Sequence, residues 1–239
     1  MIKGLLDLLY PPKCAFCREI LEKGSEEALC SDCRKAWEKE KAEKCRICGR
    51  KHSACVCDQR RMGWTVASFH LIGYTNRSAV GSRLVLVNKD RHLEKVSDFL
   101  ASELADAMKG ALKQERMLVT YCPRKAASRR NVGYDHAEML ARSLAAKLDL
   151  PFEPLILRQG GESQKGLSYL ERRKNAEKAY AFDPSKTNVI WGKTVIVVDD
   201  VSTTGATLDR CAVLLRKSGA AAIVYAYIAK SNRGMGKKT

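Results

Sequence analysis

The sequence predicts an α/β fold, a parallel sheet flanked by helices, with a small cysteine-rich module in front of it. Three observations predict this. Apolar runs of strand length alternate with helical stripes from residue 64 onward. Those runs are apolar throughout and not every second residue, as suits strands covered on both faces. Eight of the ten cysteines precede residue 58. The domains expected are therefore 1–63 for an N-terminal helix and cysteine module, 64–230 for the α/β body, and 231–239 for a basic tail expected to be disordered.

The elements follow in order. Leu5, Leu6, Leu8 and Leu9 form a short apolar patch that Asp7 interrupts and Pro11-Pro12 end. That patch is too short to span a membrane and lacks the apolar core and cleavage site of a secretory signal, so a cytoplasmic chain is expected. The cysteines then fall as Cys14-x2-Cys17, Cys30-x2-Cys33, Cys45-x2-Cys48 and Cys55-x-Cys57. Without a secretory signal, such clustered pairs read as metal ligands and not as a disulfide framework. Two thiolates three residues apart across a tight turn reach one ion, and two such knuckles complete the tetrahedron Zn²⁺ accepts. The simplest grouping puts Cys14, Cys17, Cys30 and Cys33 on one structural Zn²⁺ and Cys45, Cys48, Cys55 and Cys57 on another. An interleaved grouping stays open. His52 reads as a bystander, because four cysteines already fill its site.

A polar stretch, Asp58 to Gly63, is expected to link the module to the body. A long amphipathic helix is expected from Leu93 through Val96, Phe99, Leu100, Leu104, Ala107, Met108, Ala111 and Leu112, spaced by threes and fours. Met117 to Tyr121 reads as a strand, followed by a basic loop and a helix from about Tyr134 to Leu148. Leu155 to Leu157 and Val195 to Val198 read as further strands, then a helix from about Ala206 to Lys217 stopped by Gly219, then a last strand from Ile223 to Ile228.

The most informative stretch is VIVVDDVSTTGAT, residues 195–207. Asp199 and Asp200 close an apolar strand, where ligands of parallel α/β sheets bind. Ser202, Thr203, Thr204 and Thr207 supply hydroxyls, Gly205 lets the backbone approach closely, and Ala206 begins a helix whose positive end faces the loop. That is an anion site suited to a phosphate monoester. The acids repel phosphate, yet they accept hydrogen bonds from hydroxyls of a sugar that carries it. A bare strand end with a helix cap would need one such residue, not two acids and three threonines.

The run V-V-D-D-V-S-T-T-G-A-T resembles the 5-phosphoribosyl-1-diphosphate (PRPP) binding motif of type I phosphoribosyltransferases. Together with the cysteine module, and with Gly133-Tyr134, Ala137 to Ala141, Gln164, Gly166-Leu167, Glu171-Arg172, Asn175 and Gly219-Ala220, the chain resembles the competence protein F (ComF-like) family over nearly its whole length. The resemblance implies a type I phosphoribosyltransferase-like fold. It implies that Asp199 and Asp200 hold the ribose hydroxyls, that Ser202, Thr203, Thr204, Gly205, Ala206 and Thr207 cradle the 5′-phosphate, and that Cys122, Pro123, Arg124 and Lys125 face the diphosphate. Arg158, Lys165, Arg172 and Arg173 correspond to the family's flexible hood. The chain departs from the family at Val119-Thr120-Tyr121-Cys122-Pro123 and at Val132-Gly133-Tyr134-Asp135-His136, which leaves the sugar-phosphate end intact and alters the diphosphate and acceptor ends.

If the chain turns over, diphosphate leaves C1 of the ribose with its charge neutralised by Mg²⁺ and by Arg124, Lys125, Arg129 or Arg130. His136 and Asp135 are weak candidates for a base, and a phosphoribosyltransferase acting on an unknown acceptor is the alternative reading. The role the family suggests is handling of single-stranded DNA with DNA-uptake proteins, in natural transformation. The charge supports a polyanionic partner: 43 basic against 27 acidic residues leave +16. Residues 1–63 carry 14 basic and 10 acidic side chains, a surplus that two zinc tetrathiolates would cancel. Residues 64–239 carry 29 and 17, so the basic field belongs to the body. Tyr121, Tyr134, Tyr169 and Tyr180 lie near basic residues and suit base stacking, although packing at the core edge is the commoner use. Cys122 is given no catalytic role, and Cys211 reads as a small core hydrophobe.

Overall fold

The computed structural model describes residues 11–45, 48–57, 65–74, 79–90, 93–112, 115–124, 133–159 and 179–231. Its helices are α1 (Ser31–Lys41), α2 (Val80–Asp90), α3 (Glu94–Met108), α4 (His136–Lys147), α5 (Thr187–Ile190) and α6 (Ala206–Lys217). Its strands are β1 (Thr65–Tyr74), β2 (Met117–Tyr121), β3 (Ile156–Arg158), β4 (Tyr180–Phe182), β5 (Thr194–Ser202) and β6 (Ala222–Ser231). Four strands form one parallel sheet in the order β1-β6-β5-β2.

The sheet is parallel and flanked by helices, as the continuous apolar strands require. β5 buries side chains in both directions, so it separates two cores. Ile196 and Val198 face one core, built with α2, α3 and α4. Val195 and Val197 face the other, built with α6, the β3–β4 pair and Ile190.

Each helix forms for a legible reason. α3 turns Val96, Leu100, Leu104 and Met108 inward, and Gly110, at φ 73°, closes the chain's turn away two residues later. Asp135 caps α4 by accepting from the Ala137 N–H at 3.1 Å. α6 buries Leu208, Cys211, Ala212 and Leu215, and the following Gly219 takes φ 107°.

Four expectations change. Leu155 to Leu157 does not join the parallel sheet: β3 pairs antiparallel with β4, because Leu157 is exposed and the main sheet's edge beside β2 meets the chain at Phe152 instead. β1 and α2 are elements that the sequence reading did not propose. The helical stripe stops at Met108, short of Leu112. β5 runs on to Ser202, so Asp199 and Asp200 lie within the strand and not past its end. The 1–10 patch, the 58–63 stretch and the 232–239 part of the tail lie outside the described residues.

The cysteine module packs directly on the body. Trp37 of α1 is fully buried, tilted against Phe99 of α3 at 5.8 Å between ring centroids. Its indole N–H donates to Glu103 at 3.0 Å. Gly81 of α2 is where α1 comes closest: a Cβ there would stand 2.9 Å from the Trp37 ring.

Candidate functional site

Because strand residues alternate, Asp199 follows Val197 toward the α6 face and Asp200 follows Val198 toward the α2–α4 face. The two carboxylates therefore live in different surroundings. Asp200 is buried, and its Oδ2 meets Lys89 Nζ of α2 at 3.1 Å, Arg124 Nη2 at 3.2 Å and His136 Nε2 at 2.6 Å. The histidine contact is a close approach without the alignment of a hydrogen bond. Its Oδ1 accepts from the Val201 N–H. Asp199 accepts from the Asp200 N–H, at 2.8 Å. Desolvation first, and the neighbouring Asp200 carboxylate second, raise its pKa well above the ordinary carboxylate range.

The loop after β5 turns directly into a helix start. Gly205 adopts φ 76°, ψ 0°, a left-handed turn that a side chain would strain, and α6 starts at the next residue. Thr204 is buried and accepts from the Ala206 N–H at 3.3 Å, while Ser202 is buried at the end of the strand. Thr203 and Thr207 are half-buried at the mouth of the loop. The first turn of α6 presents N–H groups that have no partner within the helix, with the positive end of the dipole behind them.

The loop after β2 comes to the same edge. Cys122 donates its N–H to Val198 O at 3.0 Å, which holds the start of that loop against β5. Asp135 accepts from Arg124 N–H at 2.8 Å as well as capping α4, so its carboxylate is already engaged. Burial raises the Asp135 pKa. Arg158 packs its guanidinium on the Tyr180 ring at 4.7 Å, hydrogen-bonds its hydroxyl, and reaches Pro123 O at 3.5 Å. Thus Asp199, Asp200, the Ser202 to Thr207 loop and Cys122 to Arg124 gather at one sheet edge. Lys125, Arg129, Arg130, Lys165, Tyr169, Arg172 and Arg173 lie outside the described residues.

Cys122 and Cys211 are both buried with sulfurs 3.6 Å apart, and burial beside that thiol pushes the Cys122 pKa well up, so it is a poor nucleophile. Tyr121 is buried and donates to Glu138 at 3.0 Å, and Tyr180 is buried under Arg158. Lys89 and His136 in contact with Asp200 were not legible as a pair from sequence, since α2 gives no motif and they stand 47 residues apart.

In the cysteine module, neighbours group. Cys14, Cys17, Cys30 and Cys33 converge in one cluster and Cys45, Cys48, Cys55 and Cys57 in another, with the sulfurs of each within 4.8 Å of one another. Four convergent thiols in a compact cluster fit a tetrahedral structural Zn²⁺ in each. Lys95 of α3 donates to Lys13 O and Glu27 O, both at 3.1 Å, tying the first cluster's two arms to the body.

A parallel sheet with a glycine-containing, threonine-rich anion loop after an Asp-Asp strand is the architecture of a phosphoribosyltransferase-type domain, here joined to paired zinc knuckles. Comparison with known families gives the same two parts. A double zinc ribbon domain matches residues 5–61 and a phosphoribosyl transferase domain matches residues 135–238. Competence protein F of Haemophilus influenzae is 38% identical over 89 residues, 36% of this chain and 38% of that protein, so this match spans well under half the relative's length. Competence protein ComFC of Bacillus subtilis is 25% identical, covering 84% of this chain and 83% of that one. The DNA utilization protein YhgH of Escherichia coli K12 is 27% identical, covering 90% and 96%. The chain is a ComF-like protein of phosphoribosyltransferase fold with an N-terminal double zinc ribbon. No described helix is long and apolar enough to cross a membrane.

Proposed function

We propose that the chain binds PRPP, or a related ribose phosphate, with Mg²⁺ at the carboxyl edge of the sheet, and that it serves a ComF-type role in handling single-stranded DNA during DNA uptake. The observation that carries the ligand reading is the left-handed Gly205 turn: it opens α6 directly behind the strand bearing Asp199 and Asp200. The 5′-phosphate sits on the Ser202 to Thr207 loop, the ribose hydroxyls on the two aspartates, and the diphosphate near Cys122 to Lys125. Mg²⁺ would supply charge neutralisation for the diphosphate. Sugar hydroxyls and the cation compete with Lys89, Arg124 and His136 for Asp200, so ligand entry frees Arg124 to meet the diphosphate. Asp199, with its raised pKa, gives up its proton when a cation or hydroxyls arrive.

Binding is favoured over turnover for a specific reason. Asp135 is occupied by two backbone N–H groups, so it is not available as a base. The names of the relatives, competence and DNA utilization proteins, and the +12 surplus of residues 64–239 support the nucleic-acid role.

Calorimetry of Mg²⁺·PRPP against the zinc-loaded chain tests the ligand. Micromolar binding that Gly205→Val abolishes, with zinc content unchanged, is expected. No heat from the wild type sinks the ligand reading. Single-stranded DNA binding that weakens steeply between 50 and about 200 mM salt is expected in parallel. Its absence at low salt removes the DNA role.

A further inference from the structure

A row of ring contacts runs from the second cysteine cluster across β1 to β6, the strand next to β5. His52, which stands between Cys48 and Cys55, is buried, and its Nδ1 lies 3.1 Å from Nε2 of His70 on β1. The two rings meet edge-on at 5.1 Å. His70 is fully buried and stacks flat on Tyr227 of β6, 5.0 Å between centroids and 5° between planes. Tyr227 pairs in register with Asp199 on β5. Three residues further along β6, Lys230 pairs in register with Ser202, the first residue of the phosphate loop. Lys230 is 2% exposed, and its ammonium acts on both Cys55 and His52.

This arrangement has an electrostatic logic. A zinc tetrathiolate carries two net negative charges, and seating it against an apolar sheet edge is costly without a counter-charge. A buried lysine is equally costly without an anion. Lys230 and the second cluster answer each other, and the lysine they hold in place belongs to the strand next to the loop. The His52–His70 contact fixes the knuckle's tip on β1, and the flat stack carries that position to Tyr227. The first cluster's arms are tied to the body on another element, by Lys95 of α3.

We propose that the second zinc knuckle is a buttress for the Asp199 to Thr207 segment, acting through His52, His70 and Lys230 as positioning residues, so that zinc in Cys45, Cys48, Cys55 and Cys57 and order in the phosphate loop stabilise one another. The consequence for ligand affinity rests on the ribose-phosphate reading, whereas the coupling itself does not. By linkage, a ligand that orders the loop tightens zinc binding at the second cluster and leaves the first unaffected.

The test uses the full zinc-loaded chain and amide hydrogen exchange by mass spectrometry. Cys48→Ser removes one ligand of the second cluster and Cys17→Ser one of the first, with zinc content measured for each. Exchange across Asp199 to Thr207 is expected to rise about tenfold or more in Cys48→Ser and to stay within about twofold of wild type in Cys17→Ser. His70→Phe and Lys230→Met keep all eight cysteines, and serve if Cys48→Ser fails to fold. His70→Phe retains the stack on Tyr227 while losing the bond to His52, and faster exchange in the same segment is expected. Equal effects from the two cysteine variants, or unchanged exchange in both His70→Phe and Lys230→Met, overturn the proposal. Calorimetry on the same samples separates the two claims: a wild type that binds no PRPP defeats the ligand reading, while the exchange result still decides the coupling.

Discussion

Replacing the two adjacent aspartates by asparagine, one at a time, is expected to move stability in opposite directions. Asp200→Asn removes the carboxylate on which Lys89, Arg124 and His136 converge. Breaking a buried ion pair costs about 3–5 kcal/mol. Lys89 and Arg124 are 26% and 34% exposed, so water recovers part of that loss. A cost of about 2 kcal/mol, or a melting temperature lower by about 4–8 °C for a chain of this size, is the outcome expected. Asp199→Asn does the reverse. In the unfolded chain this carboxyl titrates near 3.8, while in the folded chain desolvation and Asp200 raise it well above that. Between those two values the native state holds a proton that the unfolded state has released, so stability falls as pH rises through the window. Each unit of that shift is worth about 1.4 kcal/mol, so the asparagine gains about 1 kcal/mol or more at pH 7.5, a rise of about 2–4 °C. The gain grows from pH 5 to pH 7.5 and shrinks toward pH 4. Thermal unfolding of ligand-free, zinc-replete protein across that range reads both effects. A destabilised Asp199→Asn, or a gain independent of pH, would refute the assignment of the two carboxylates to opposite faces.

Gly205→Ala forces a side chain into φ 76°, and is expected to cost about 1–2 kcal/mol in thermal unfolding and to weaken phosphate binding more than the aspartate variants weaken stability. Gly81→Val places a Cβ 2.2 Å from Ile72 Cδ1 and 2.9 Å from Trp37, and overpacking of about 1–3 kcal/mol should appear as a lower melting temperature with Trp37 fluorescence shifted to the red. Metal analysis is expected to find two zinc ions per chain, and a chelator should expose Trp37 to quencher while Trp191, already 68% exposed, reports little change. A single zinc per chain would count against the neighbour grouping.

The parts of the fold legible in the sequence were those whose pattern is local. The α3 stripe, the β5 run and the paired cysteines each declare themselves within a dozen residues. α2 does not: its VGSRLVLVNKD combines β-branched residues with a glycine, a composition that reads no more like a helix than a strand. It is helical because Val80, Leu84 and Val87 bury one side against the sheet and Gly81 admits α1. β1 is silent for a related reason. Its polar His70 and Ser68 are buried, and the histidine is held by a residue 18 positions earlier that no spacing rule connects to it. The site divides the same way. The anion loop was readable because a helix N-terminus and a glycine turn are written in consecutive residues. The partners of Asp200 were not, because α2, the β2 loop and α4 meet it only through the tertiary fold.

The seating of the zinc ribbon bears on what supports the α/β body. Glu103 of α3 is buried and receives the Trp37 indole N–H, the Lys41 ammonium and the Arg34 guanidinium, all three from α1. Cutting the ribbon away would take from that carboxylate its three partners on α1 and open it to water. It would also uncover Phe99 and the close approach of α1 at Gly81. The ribbon is therefore part of the support of the α/β body, and α2, which α1 packs upon, carries Lys89 to Asp200. The first face of the ribbon steadies Lys89, and the second knuckle packs on β1, two strands from β5. A near-neutral ribbon in that position adds rigidity without adding positive field, and the basic surplus lies in residues 64–239.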